Sequence, residues 1–217
     1  MRQLSQEKVN QILKEYKPTF PKTYLCKDID HVKKLDNLDY PVILKVDSPD
    51  IIHKSDEGMV VLDIKSKEQL LQEAQSIKHN LDKKGANLDN FIIQDQIKGK
   101  EIIVGMKRDP TFGPAILFGL GGIFVEVLKD VSFEIAPLTE IEAEKMIKGI
   151  KTYPILKGIR GEKPVNLVAI KKTILMISDI SLKHEDIMEI DLNPVIVNEK
   201  DAYVVDARFL IGDNNES

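Results

Sequence analysis

The sequence predicts an α+β fold, and three observations point to it. Apolar runs rich in β-branched residues, such as PVILKV (Pro41 to Val46) and MVVLDI (Met59 to Ile64), read as strands. Ser66 to Leu81 and Val165 to Lys183 instead carry their apolar residues at helical spacing. The strands come in hairpin-like pairs without strict βαβ alternation, which argues against a doubly wound sheet. At 217 residues the chain can bury one sizeable core or two small lobes.

Taken in order, Ser5 to Tyr16 is a short helix, with Ser5 as its cap and Val9, Ile12, Leu13 and Tyr16 as its apolar stripe. Lys17 to Lys22 holds two prolines and connects. Asp30 to Leu35 suits another short helix. Tyr40 to Val61 reads strand, loop, strand, and it is the stretch around which the chain is organised. The helix from Ser66 has Gln69 three residues after its cap, and Leu70, Leu71, Ala74 and Ile77 turn inward. Asn87 to Gln96 carries a strand, Gly99 turns, and Glu101 to Lys107 returns. Pro114 to Leu120 is apolar on both faces, as a central strand is. Val131 to Pro137 is a further strand, and Thr139 to Ile150 a helix with Glu142 three residues past its cap. Pro154 to Pro164 is an irregular loop before the long helix. Three short strands close the chain, Asp186 to Asp191, Pro194 to Val197 and Ala202 to Asp206, followed by the polar tail IGDNNES.

Composition excludes several functions. A net charge of −4 with scattered lysines leaves no footprint for nucleic acid. One cysteine, Cys26, excludes an internal disulfide framework and suits a reducing cytosol. No apolar run reaches the length of a membrane span, and MRQLSQEKVN is not a signal peptide, so a soluble cytoplasmic chain without a membrane partner is expected. His31, His53, His79 and His184 are dispersed, which speaks against zinc.

Four features carry chemistry. The first is Lys45, inside a strand and followed by a loop of Ser48, His53, Lys54, Ser55 and Gly58. A fixed cation beside backbone and hydroxyl donors can hold a phosphate. No GxxxxGK[ST] occurs, so this is not a Walker A loop, and an edge-strand lysine facing water is the plain alternative. The second is the turn QDQIKGKE, Gln94 to Glu101, whose backbone groups and acid suit a flat base and a ribose, or form an ordinary polar hairpin. The third is EIDLNPVIV followed by VVDAR. Glu189, Asp191 and Asn193 alternate, so in a strand they share a face, and Asp206 ends the neighbouring strand. Oxygen-bearing side chains gathered on one face are costly to bury without something positive, and Mg²⁺ takes one or two of them with phosphate and water; a solvated face is the plain alternative. The fourth is Arg160 between glycines in KGIRGEK, able to meet a phosphoryl group or to sit solvated in its loop. His53 lies in a polar loop, where a neutral imidazole can act as a nucleophile toward phosphorus. Together these suggest phosphoryl transfer. The segment GLGGIFVEV does not meet GxGxxG and lacks a βαβ frame.

Four blocks carry a resemblance: PVILKVDSPDIIHKSDEG, GKEIIVGMKRDPTFGPAILFGLGGIFVEVLKDVSFEIAPL, YPILKGIRGEKP, and DLNP followed by VVDAR. They resemble the ATP-grasp domain of the NDP-forming acyl-CoA synthetases, from about Ser5 to Leu210, and more particularly the type that stands as a separate β subunit in archaeal ADP-forming acetate–CoA ligases. The resemblance implies two α+β lobes gripping a nucleotide, with lobe boundaries at about 20–93 and 94–210 and the helix 5–16 in front. It implies that Lys45, with Ser55 and Gly58 of its loop, binds ATP or ADP. Gln94, Asp95 and Gln96 become a hinge on the adenine, and Glu101 holds the ribose. DLNP and VVDAR resemble the metal-binding strands of succinyl-CoA synthetase β chains, which puts Mg²⁺ on Asn193 and Asp206. Asp191 stands where an acid meets a phosphohistidine, His53 relays phosphate, and Arg160 assists transfer. The implied reaction is acyl-CoA + ADP + phosphate ⇌ carboxylate + CoA + ATP, with a CoA-binding α subunit as partner in an α2β2 heterotetramer. Two departures stand out. The family has two adjacent glycines after HKSD where this chain has Glu57, Gly58 and Met59, and there is no CoA-binding domain, so the full reaction is expected to need the partner. The alternatives are a non-catalytic nucleotide-binding module of a protein acyltransferase assembly, and a ligase joining a carboxylate to an amine, for which the chain lacks a third domain.

Overall fold

The computed structural model describes residues 1–48, 50, 58–122, 127–159 and 161–212. In chain order the first elements are β1 (Arg2–Gln3), α1 (Gln6–Tyr16), β2 (Thr23–Cys26), α2 (Ile29–Lys33), β3 (Val42–Asp47), β4 (Val60–Ile64), α3 (Lys67–Lys84) and β5 (Asn90–Asp95). They are followed by β6 (Lys100–Asp109), β7 (Gly113–Leu120), β8 (Val131–Ile135), α4 (Glu140–Gly149), α5 (Tyr153–Leu156), α6 (Leu167–Lys183), β9 (Ile187–Val197), β10 (Ala202–Val204) and β11 (Arg208–Ile211). The chain divides into two units, one of Pro21–Ile97 and one of Met1–Phe20 with the chain from Lys98 onward.

In the smaller unit the strands run β2-β5-β3-β4, every neighbouring pair antiparallel. Val42, Leu44, Val46, Phe91 and Ile93 alternate along their strands and bury against Val32 of α2 and Leu70, Ala74, Ile77 and Leu81 of α3. Those four α3 residues recur at helical spacing, and burying their side chains supplies roughly 1.5–3 kcal/mol for each large one. Ser66 accepts from Gln69 N to start α3, and Gly85 in the left-handed region ends it. Gln69 does not return the bond to Ser66; its side chain accepts from Lys65 N at 2.9 Å. The alternate strand residues, Thr23, Ile43, Lys45, Asp47, Ile92 and Gln94, form the second face of this sheet. β3 is paired on both sides, so Lys45 is not an edge-strand lysine.

In the larger unit the order is β1-β11-β9-β6-β7-β8, with β10 also pairing β9, again antiparallel. Ile102, Val104, Met106, Ile116, Phe118, Ile190 and Leu192 pack on Ala143, Met146 and Ile147 of α4 and Ile170, Ile174 and Ile177 of α6. Thr139 and Glu142 close a capping box at the start of α4, as their spacing predicts. Val9 and Leu13 of α1 join this core, and Leu4 N donates to Phe209 O at 2.9 Å, so the first residues belong with the chain's last strand.

Three expectations change, and short strands that were not expected are added. The two strands predicted at Asp186 to Asp191 and Pro194 to Val197 are one strand, β9; its register with β6 shifts between Ile102 and Val104, which accommodates Pro194, a residue without an N–H. β10 stops at Val204, so Asp206 lies between strands and does not end one. The loop expected from Pro154 opens with α5, where Pro154 sits in the first turn. β2 and β11, four residues each, have too little sequence pattern to predict and exist because β5 and β9 offer pairing partners. No helix among the described residues is long and apolar enough to cross a membrane.

Candidate functional site

Lys45 is half-buried on the second face of the smaller sheet. Its Nζ donates to Gln94 Oε1 at 3.0 Å, and Gln94 Nε2 donates to Thr23 Oγ1 at 3.1 Å. Thr23 in turn donates to the carbonyl of Pro21 at 2.9 Å. Cross-strand register explains the contacts. Thr23 lies opposite Gln94, and Lys45 lies opposite Ile92, one step along the same face from Gln94. Gln96 is also engaged: its Oε1 accepts from Asp63 N at 2.7 Å and its N–H donates to Pro41 O at 3.2 Å. Asp95 differs. Its Oδ1 has no hydrogen-bond partner among the described residues. Burial pushes its carboxyl up, Lys22 pulls it down, and Asp39 pushes it up again. Of the three residues expected at a base, Asp95 therefore keeps an uncommitted side-chain oxygen.

The loop after β3 is anchored at its stem. Asp50 N donates to Ser48 Oγ at 3.3 Å, and Asp50 Oδ2 accepts from Asn87 N and Nδ2 at 2.8 and 3.0 Å. Gly58 closes it at φ +69°, a left-handed conformation that glycine adopts without Cβ strain. His53 and Ser55 lie outside the described residues, as does Arg160. The flanks of Arg160 are defined. Gly158 has φ +82° and a Cβ there would collide with the Glu162 carbonyl, while Glu162 pairs with Lys100 at 2.6 Å.

In the larger unit Glu189 and Asp191 project from β9, half-buried, on the face opposite the helices. Arg208 of β11 lies across from Asp191; its Nη2 is 3.3 Å from Glu189 Oε1 and 3.8 Å from Asp191 Oδ2. On the other side of Asp191 stands Gly105, which leaves no side chain beside the carboxylate. Burial pushes the Asp191 carboxyl up; Arg208 opposes this, and Glu189 and Asp206 push it further up. Asp191 thus feels two further acids, while one arginine lies beside it and Glu189. Asn193 and Asp206 are exposed, and Asp206 Oδ1 accepts from Ala207 N at 2.9 Å, leaving its second oxygen. Among the described residues no group of three or more His, Cys, Asp or Glu side chains gathers as a metal cage. A carboxylate, an amide oxygen and surplus negative charge instead match the sparse oxygen set that Mg²⁺ takes when phosphate and water complete its shell.

Glu101, exposed at the start of β6, is backed by the glycine segment. Gly121 N donates to Glu101 O at 2.7 Å, and a Cβ on Gly121 would sit 3.0 Å from Glu101 Cβ. GLGG is therefore a close-approach segment beside Glu101, a use that its mismatch to dinucleotide fingerprints did not reveal. Thr23, Gly105 and Arg208 were also missed as site residues. Arg208 carried a signal, since it follows Asp206 by two; Thr23 and Gly105 carry none without the register.

Comparison with known proteins follows the same lines. The ATP-grasp domain family matches residues 1–211. The chain is 44% identical over 214 residues to the acetate–CoA ligase [ADP-forming] I subunit beta of Pyrococcus furiosus, covering 97% of this chain and 92% of that one. Among solved structures it is similar to a Ca. Korarchaeum cryptofilum dinucleotide forming acetyl-coenzyme A synthetase 1 in complex with coenzyme A, Ca-AMPCP and HgCl⁺, with TM-score 0.90, 37% identity, and 97% and 94% of the two chains covered. A second structure of that protein holds coenzyme A and Mg-AMPPCP, its phosphohistidine segment pointing towards the nucleotide binding site; TM-score is 0.81, identity 37%, coverage 97% and 93%.

Proposed function

The chain belongs to the ATP-grasp family, in the group of β subunits of ADP-forming acetate–CoA ligases, and on that premise we propose how its residues carry the nucleotide half of the reaction. It works with a separate α subunit in acyl-CoA + ADP + phosphate ⇌ carboxylate + CoA + ATP. The α subunit binds CoA and carries the phosphohistidine, and two copies of each chain assemble as α2β2. ADP or ATP is this chain's substrate. Lys45 meets its phosphates, together with Ser55 and Gly58 of the loop; Asp95 and Gln96 edge the base, and Glu101 holds the ribose. Asn193 and Asp206 hold Mg²⁺, which neutralises phosphate charge when bound. Asp191 receives the imidazole of the incoming phosphohistidine, His53 takes the phosphoryl group on its way to ADP, and Arg160 balances charge during transfer.

The observation that carries this reading is Asp191 beside Arg208 and Glu189: its half-buried carboxyl, pushed up by burial and by the charges of Glu189 and Asp206, is relieved by an incoming cationic or N–H-bearing group. The test is phosphate labelling. The purified chain is mixed with Mg²⁺ and γ-labelled ATP, with and without the α subunit, and assayed for acid-labile, base-stable label. The expected result is label on this chain that disappears in His53→Ala. Label confined to the partner and indifferent to His53→Ala removes the relay, and bound ATP with no label on either chain replaces turnover by mere nucleotide binding.

A further inference from the structure

We propose that Gln94 is a positioning residue for Lys45, its amide turned by Thr23 so that the lysine ammonium is aimed for a nucleotide's phosphates; Gln94 does not read the base. The proposal rests on the reading of Lys45 as a phosphate ligand.

The argument starts at Pro21. A threonine hydroxyl has one proton, and Thr23 gives it to the Pro21 carbonyl at 2.9 Å. Toward Gln94, 3.1 Å away, Thr23 can then only accept, so the Gln94 NH₂ must face it. That leaves Oε1 for the Lys45 ammonium at 3.0 Å. Turning the amide over would set NH₂ against an ammonium and a carbonyl against a hydroxyl oxygen whose proton is already spent. Gln94 is only 6% exposed, so water does not take over a lost contact cheaply. A one-way chain thus runs from a backbone carbonyl on the edge strand to the lysine.

The residue type fits this use. An amide oxygen holds an ammonium without cancelling its charge, whereas a glutamate in the same place would pair with it and weaken its pull on an anion. One N–H of the amide goes to Thr23 and one lone pair of its oxygen to Lys45, and at 6% exposure the amide presents little of its second N–H and second lone pair to adenine.

The experiment measures calorimetric affinity of the full-length chain for ATP and for adenosine. Thr23→Val is the main variant, because Thr23 is exposed on an edge strand and valine keeps shape and strand preference. Thr23→Ser restores the hydroxyl, and Gln94→Met removes the amide at similar length. Thr23→Val and Gln94→Met are expected to weaken ATP by about tenfold, the usual order for one charge-assisted contact, with adenosine unchanged and Thr23→Ser near wild type. Equal loss for ATP and adenosine overturns the proposal, because Gln94 then touches the base. No loss for either overturns it as well. Lys45→Met separates the two levels. If it leaves ATP affinity intact, the phosphate reading of Lys45 falls and the proposal with it. If Lys45→Met weakens ATP while the Thr23 and Gln94 variants do not, only the positioning role falls.

Discussion

The two units prepare opposite charge in different ways. On the smaller sheet a lysine is steered by neutral partners, Gln94 and Thr23, whose geometry comes from three adjacent strands. On the larger sheet Glu189 and Asp191 share Arg208, with Asp206 close enough to push on Asp191. An amide contact orients an ammonium without itself neutralising it. Burial and two neighbouring acids raise the cost of ionising Asp191, and Arg208 offsets part of it.

The comparison breaks most sharply at Lys45. Lys45→Met should weaken ATP by about tenfold to a hundredfold, the worth of a charge-assisted phosphate contact, and leave the Mg²⁺ requirement of residual binding unchanged. Calorimetry at fixed Mg²⁺ reads it; an unchanged affinity would mean that the smaller sheet offers no cation to the nucleotide.

A control belongs away from both faces. Asp130 is buried and accepts from Lys151 N at 2.8 Å, Thr152 N at 2.7 Å and Thr152 Oγ1 at 2.5 Å. Asp130→Ala should cost about 2 kcal/mol of stability by leaving two backbone donors unsatisfied, with ATP affinity unchanged in the folded protein. Burial pushes this carboxyl up, but the hydrogen bonds from Thr152 and Lys151 outweigh it and hold it below the usual range. A depressed carboxyl contributes stability that is full above its unfolded pKa of about 3.9 and fades as pH falls through the lower folded value. Melting curves below about pH 4 should therefore lose this contribution in the natural chain and show less of that loss in Asp130→Ala.

The larger sheet is tested by Asp206→Asn, which removes charge and keeps size. The Mg²⁺ concentration that half-saturates ATP binding should rise by about tenfold, on the order of one lost charged ligand contact. A rise in ATP dissociation constant that added Mg²⁺ does not rescue would move Asp206 out of the metal shell. Smallest is Arg208→Met. The pair it makes with Glu189 is partly exposed, so removal should cost at most about 1 kcal/mol, and Glu189→Gln in the same chain should recover part of it. Thermal melting of the two single variants and the double variant reads this; additive losses would show that arginine and acid do not act on each other.

Local pattern carried the long elements. The caps Ser5, Ser66 and Thr139, the stripe of α3 and the alternation along β3 and β5 follow from neighbours a few residues apart, where helix and strand periodicity act. The lysine in a strand and the acid-rich DLNP and VVDAR segments were visible for the same reason, because their chemistry is packed into short stretches. What tertiary structure alone decided is who touches whom across strands. Thr23 and Gln94 are 71 residues apart and meet only because β2 pairs with β5 in one register. Arg208 reaches Glu189 and Asp191 because β11, too short to predict, lies on β9. Gly121 turns out to serve Glu101 through a close approach that no spacing rule encodes. A pairing register is chosen by burial summed over a whole sheet face, and one slip would turn every side chain to the other side. That sum is a property of the folded sheets and cannot be read from any one stretch.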